Sequence, residues 1–200
     1  MMKTIIIEGT KGAGKTTVIK NLFNDLSSKY RVKTYSPYGE GNQKYIHIGG
    51  IFHCWSDKVL AREAFSWLKS SISQTIKDAQ NDGTDILIFD RNWITIVRCI
   101  EDSVLDNEEK ESLIKEFKQW LTPIDTFFIY CSPETTMIRR YGELDAKSGL
   151  NTTQLVIEDF NRRYQIAMEH GLVSFDTTNP EIFDTNEIIT TIKRRLTDSV

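Results

Sequence analysis

The sequence is poor in the residues that mark several protein classes. It has 3 cysteines, Cys54, Cys99 and Cys131, far apart and odd in number. That fits neither a disulfide framework nor a zinc site, and a reducing cytoplasm is the expected compartment. Its 3 histidines are scattered without the spacing of a metal-ligand set. With 4 prolines and 11 glycines there is no obvious flexible linker. No stretch approaches the roughly 18 consecutive apolar residues of a spanning helix, so no membrane association is expected. Only Ile5-Ile6-Ile7 precede Glu8, far short of the roughly 7–15-residue core of a signal peptide, and no leader is expected. Positive charge is scarce too, with 25 Lys and Arg against 28 Asp and Glu and a net charge of −3. A protein that grips nucleic-acid phosphates needs the opposite balance, so stable nucleic-acid binding is not expected. What remains is 200 residues, 40% hydrophobic and 26% charged, the composition of one globular domain over 1–200.

The apolar pattern alternates between two periods. Residues 4–8, 85–89 and 126–131 carry continuous β-branched and aromatic runs, which suit strands covered on both faces of a parallel sheet. Weaker strands are expected at 31–35 and 172–176. Helical spacing fills the gaps. Val18, Ile19, Leu22, Phe23 and Leu26 form one face, and Leu113, Ile114, Phe117, Trp120 and Leu121 another. Leu155, Val156, Phe160, Tyr164, Ala167 and Met168 form a third, and Ile188, Ile189, Ile192 and Leu196 the last. Residues 57–81 read as helical, ending near Gly83. Asp106 with Glu109, Asn151 with Gln154 and Asp184 with Glu187 read as helix starts. The sum is a βαβ series: an α/β fold of three layers, with about five parallel strands flanked by helices.

The sharpest motif is Gly9-Thr10-Lys11-Gly12-Ala13-Gly14-Lys15-Thr16, followed by Thr17. It fits the phosphate-loop pattern G-x-x-x-x-G-K-[ST] at every fixed position, between a strand and an amphipathic helix. Glycines let backbone N–H groups converge on an anion, and the helix start adds its positive end. Lys15 is then expected at the terminal phosphates and the Thr16 hydroxyl at Mg²⁺. The expected ligand is ATP with Mg²⁺. No N-K-x-D base-reading motif follows, which argues against a GTPase.

Asp90-Arg91 closes the third strand at the sheet's carboxyl edge, where ligands bind in open α/β folds. Asp90 is suited to hold Mg²⁺ and Arg91 to grip an acceptor. Further on, Arg139-Arg140-Tyr141-Gly142-Glu143-Leu144-Asp145 opens a polar stretch, and 139–151 reads as a mobile lid. Arg139 and Arg140 at its base are candidates to stabilise transferring charge, with Arg162 and Arg163 assisting.

The ordered triple of phosphate loop, Asp-Arg pair and RRYGELD resembles the thymidylate kinase family, with its GLEGAGKTT and RGELDR patterns. The resemblance implies a P-loop nucleoside monophosphate kinase, a homodimer, and roles for Lys15, Thr16, Asp90, Arg91 and the lid arginines. It also implies Phe65 as the residue that stacks on the acceptor base, with Lys69 replacing an Arg one turn later. The chain departs from that family at Lys11, where a carboxylate is usual, and at Tyr35-Ser36-Pro37-Tyr38, where Arg-Glu-Pro-Gly is usual. The expected reaction is γ-phosphoryl transfer from ATP to a (deoxy)nucleoside monophosphate. Two alternatives stay open. One is a hydroxyl acceptor on a nucleoside or modified base, for which Glu40 is a candidate base. The other is a nucleotide-binding regulator without catalysis.

Overall fold

A strand that is apolar at every position must be covered on both faces. The three strongest runs meet that demand at the centre of one sheet. The computed structural model describes residues 2–37, 57–122, 124–139, 153–179, 181–182 and 184–198. The strands are β1 (Lys3–Gly9), β2 (Val32–Tyr35), β3 (Ile86–Asp90), β4 (Asp125–Tyr130) and β5 (Val173–Asp176). The helices are α1 (Lys15–Leu26), α2 (Lys58–Asn81), α3 (Trp93–Asp102), α4 (Asn107–Leu121), α5 (Pro133–Arg139), α6 (Thr153–Glu169) and α7 (Thr185–Asp198). All five strands are parallel, in the order β2-β3-β1-β4-β5. The central β1 sets Ile7 level with Asp90 and Glu8 level with Phe128.

The two-residue period of the strands divides the apolar side chains between two cores. Ile6, Leu87, Phe89 and Phe128 pack with residues of α2, α3, α4 and α6. Ile5, Ile7, Ile86, Ile88, Phe127 and Ile129 pack with residues of α1 and α7. Ile5, Ile6 and Ile7 are wholly buried, and burial of such a side chain stabilises by roughly 1.5–3 kcal/mol. This is the three-layer architecture that the alternating pattern predicts.

The helix ends follow local chemistry. Asp57 accepts hydrogen bonds from the N–H groups of Val59 and Leu60 and starts α2. Gly83, at φ +68°, ends the same helix two residues past its last turn. Asp106 caps α4 through the Glu109 N–H at 3.0 Å, as the spacing predicts. Asp184 caps α7 through the Asn186 N–H at 2.8 Å. Asn151 lies outside the described residues. The sequence reading has no counterpart to α3. Seven of its ten residues are buried, Trp93, Ile94, Thr95, Ile96, Val97, Cys99 and Ile100, and only Arg98, Glu101 and Asp102 form a narrow polar side, so its first turns read in sequence as a short β-branched run rather than as a helix. Among the described residues no helix is long and apolar enough to cross a membrane.

Candidate active site

The phosphate loop begins where β1 meets β4. Gly9 has φ +145°, and a Cβ there would stand 1.7 Å from the Ile129 carbonyl oxygen. Only glycine fits. The Thr10 N–H then donates to that carbonyl at 3.1 Å, which turns the chain off the sheet. Gly12 and Gly14 also have positive φ, at 72° and 85°.

Each carbonyl from Thr10 to Ala13 is held by a donor. Lys15 Nζ donates to Thr10 O. The Thr136 hydroxyl of α5 donates to Lys11 O at 3.0 Å. Arg139 Nη1 donates to Gly12 O at 3.1 Å, and the Thr177 hydroxyl donates to Ala13 O at 3.1 Å. With the carbonyls engaged, the peptides of this turn are free to offer their N–H groups to an anion, which is how a backbone nest works. The start of α1 points the same way. Its N-cap, Gly14, supplies no side-chain acceptor, its first turn holds no acid, and nothing lies within 4 Å of where a Gly14 Cβ would be. The first amides of the helix are left for an outside acceptor.

Lys15 is buried, and Thr16 and Thr17 are exposed on the first turn of α1. Burial, reinforced by Arg91, holds the Lys15 ammonium well below the ordinary lysine range, with Asp90 pulling the other way. A cation so placed gains from a polyanion beside it. Asp90 is half-buried at the carboxyl end of β3. Arg91 follows at φ +69°, its N–H donating to Ile7 O at 3.0 Å and its Nη1 to Gly9 O at 3.2 Å. Burial, then the nearby Arg163, lowers its pKa. The residues thus gathered are Lys15, Asp90, Arg91 and the loop from Gly9 to Thr17, at the point where the neighbours of β1 lie on opposite sides. In open α/β sheets that point is where ligands bind.

Arg139 is a brace of the loop: besides Gly12 O it donates to Thr177 O at 2.6 Å. Arg140 and the remainder of the lid lie outside the described residues, as does Glu40. Phe65 is buried in the core. Lys69 is ion-paired with Glu116 of α4. Both line a groove of about 350 Å³ between α2 and α4, together with Arg62, Glu109 and Phe117. Arg162 pairs with Glu101 of α3, and Arg163 pairs with Asp159 and donates to the Thr95 hydroxyl. Arg163 is nonetheless close enough to Lys15 and Arg91 to lower the pKa of both. A larger cavity, of about 410 Å³, lies at the amino edge of the sheet among Lys3, Leu26, Tyr30, Ile86 and Leu196. It is remote from the phosphate loop.

Sequence reasoning missed Glu8, Thr136 and Thr177. Glu8 carried a signal, an acid inside an apolar strand. The two threonines carried none, because only the fold brings them to the loop.

The class of fold is a P-loop α/β fold built on a five-stranded parallel sheet. Two solved structures share it. Deoxyadenosine kinase from M. mycoides with products dCMP and a flexible dCDP bound is 17% identical, with a TM-score of 0.60 over 98% of this chain and 100% of that one. Deoxyadenosine kinase from M. mycoides with bound dATP is 18% identical, with a TM-score of 0.60 over 96% and 98%. No protein-family model matches the chain, and no curated protein matches its sequence. At this identity the likeness is one of fold.

Proposed function

We propose that the chain is an ATP-dependent phosphotransferase that phosphorylates a deoxynucleoside-type small molecule. The observation that carries the reading is the phosphate loop, with its carbonyls tied back and Lys15 buried beside Asp90 and Arg91. The loop amides and Lys15 hold the polyphosphate of ATP. Thr16 and Asp90 are the residues suited to Mg²⁺, which when bound supplies charge neutralisation at the terminal phosphates. Arg91 orients the acceptor. The bond from the γ-phosphorus to the bridging oxygen breaks, a bond forms from that phosphorus to the acceptor oxygen, ADP leaves with the bridging oxygen, and a hydroxyl acceptor gives its proton to a carboxylate base, for which Glu40 is the candidate. Positioning and charge neutralisation supply most of the rate.

The acceptor is a hydroxyl or a phosphate monoester. A monoester brings about two negative charges, which need cations to receive them. Of the candidates for that charge, Lys69 is paired with Glu116, which favours the hydroxyl of a deoxynucleoside over the thymidylate-kinase-like acceptor. The names of the two fold relatives point the same way. The test is ADP release from Mg-ATP with deoxynucleosides and, separately, their monophosphates. Release with the deoxynucleosides alone is the expected outcome. Release with monophosphates alone returns the acceptor to the phosphate class, and tight ATP binding with neither would make the chain a nucleotide-binding regulator.

A further inference from the structure

Behind Arg91 lies a buried polar cluster that the chemistry above does not use. Glu8 of β1 is wholly buried. Its Oε1 accepts the N–H of Asn92 at 2.6 Å and the N–H of Thr95 at 3.1 Å, and its Oε2 accepts the Thr95 hydroxyl at 2.9 Å. These donors are the start of α3. Asn92 occupies the N-cap of that helix but makes no cap with its own side chain, whose buried amide has no hydrogen-bond partner. The cap comes instead from the neighbouring strand, and it is a charged one, suited to the positive end of a helix.

Three consecutive residues of β1 hold the turn at Arg91. Ile7 O takes its N–H, Gly9 O takes its guanidinium, and the side chain between them, Glu8, takes the peptide that follows it. Arg91 is the one non-glycine residue with positive φ among the described residues. An L-residue persists there only where its surroundings over-determine it. On the far side, Arg163 Nη1 donates to the Thr95 hydroxyl at 2.8 Å, and its Nε is fixed by Asp159 at 2.9 Å. Burial works against the Arg163 charge, but Asp159 and Glu8 more than offset it and its pKa is raised. Asp159 also lines a crevice with Thr10 and Lys11, so α6 lies against the phosphate loop.

We propose that Glu8 is a positioning residue for phosphoryl transfer. By capping α3 from inside the sheet it locks the turn at 90–92 and so aims Arg91 along the edge of the phosphate loop, with Arg163 bracing Thr95 behind it. The inference rests on the kinase reading. A carboxylate is required rather than an amide for two reasons. Its two oxygens accept three donors, and the NH2 of a glutamine at the Oε2 position could not accept the Thr95 hydroxyl proton, so that bond would have to reverse and the hydroxyl hydrogen find another acceptor. It is also a negative charge among Lys15, Arg91 and Arg163.

The experiment compares wild type with Glu8→Gln and Thr95→Ala by steady-state kinetics and by amide hydrogen exchange. Glu8→Gln is expected to lower kcat by about tenfold or more with the ATP KM changed less than about twofold. Protection at the Asn92 and Thr95 amides is expected to fall with it. Thr95→Ala removes one donor and keeps the charge, so it is expected to lower kcat by a few fold in the same direction, and it serves if Glu8→Gln does not fold. Unchanged kcat in the folded variants, or a loss confined to the ATP KM, overturns the proposal. Absence of wild-type turnover would overturn the kinase reading instead. Exchange needs no turnover, so unaltered protection at 92 and 95 in Glu8→Gln overturns the cap by itself.

Discussion

Gly9 and Gly14 divide the demands of the loop between folding and binding. At Gly9 a side chain meets the backbone of Ile129, which cannot give way without parting β1 from β4. Gly9→Ala is expected to destabilise by on the order of 4 kcal/mol or more, seen as a large loss of urea midpoint or as insoluble protein. At Gly14 nothing obstructs a Cβ, and only the positive φ opposes it. Gly14→Ala is expected to cost about 1–2 kcal/mol of stability and to weaken ATP binding more than that strain explains, because the added methyl enters the space kept for phosphate. Equal effects of the two substitutions on melting would contradict this division.

Lys15 adds a pH dependence whose sign follows from its burial. The folded protein sheds this proton at a lower pH than the unfolded chain does. The buried ammonium therefore opposes folding at low pH, and the penalty lifts as pH rises through the folded value. A bound polyphosphate favours the ammonium. ATP binding is expected to take up protons, with affinity falling as pH rises through the Lys15 value of the free protein. Calorimetric titration in two buffers of different ionisation enthalpy measures the uptake. Lys15→Met should abolish it, and net proton release on binding would contradict it.

Among the elements, legibility in the sequence followed the length of the amphipathic stretch and the presence of local end signals. The helices α1, α2, α4 and α7 alternate apolar with polar residues and carry recognisable ends, so their positions follow from local spacing. Asp106→Ala should accordingly cost about 1 kcal/mol in chemical denaturation, and a shift near zero would show that the Glu109 amide finds another acceptor. The helix α3 was invisible because it is short, opens on the β-branched run Ile94-Thr95-Ile96-Val97, and has no local capping side chain. What starts it is a carboxylate 87 positions earlier in the chain. Arg139 illustrates the same limit. The doubled arginine before Tyr141 reads in sequence as the base of a lid, but only the folded chain sets Arg139 against Gly12 O and Thr177 O.

At the scale of the whole molecule, the five-stranded order follows from few cues. Continuous apolar strands require two covered faces, and parallel strands require crossovers. Which strand is central was not legible from pattern. The central one proves to be the strand that carries the phosphate loop, and this brings Asp90 and Arg91 from one neighbour and Ile129 and Cys131 from the other side to the same edge. The acceptor side was the least legible part. Lys69 reads in sequence as a cation near the acceptor, and in the fold it proves to be paired with Glu116 of a neighbouring helix.

The central claim is that this edge passes the terminal phosphoryl of ATP to a small acceptor. It is tested most directly by the ADP formed from Mg-ATP by wild type and by Lys15→Ala, each with and without a mixture of deoxynucleosides. The account predicts release that depends on the acceptor and falls by at least about two orders of magnitude in Lys15→Ala. Release that ignores the acceptor, or that survives the loss of Lys15, would contradict it.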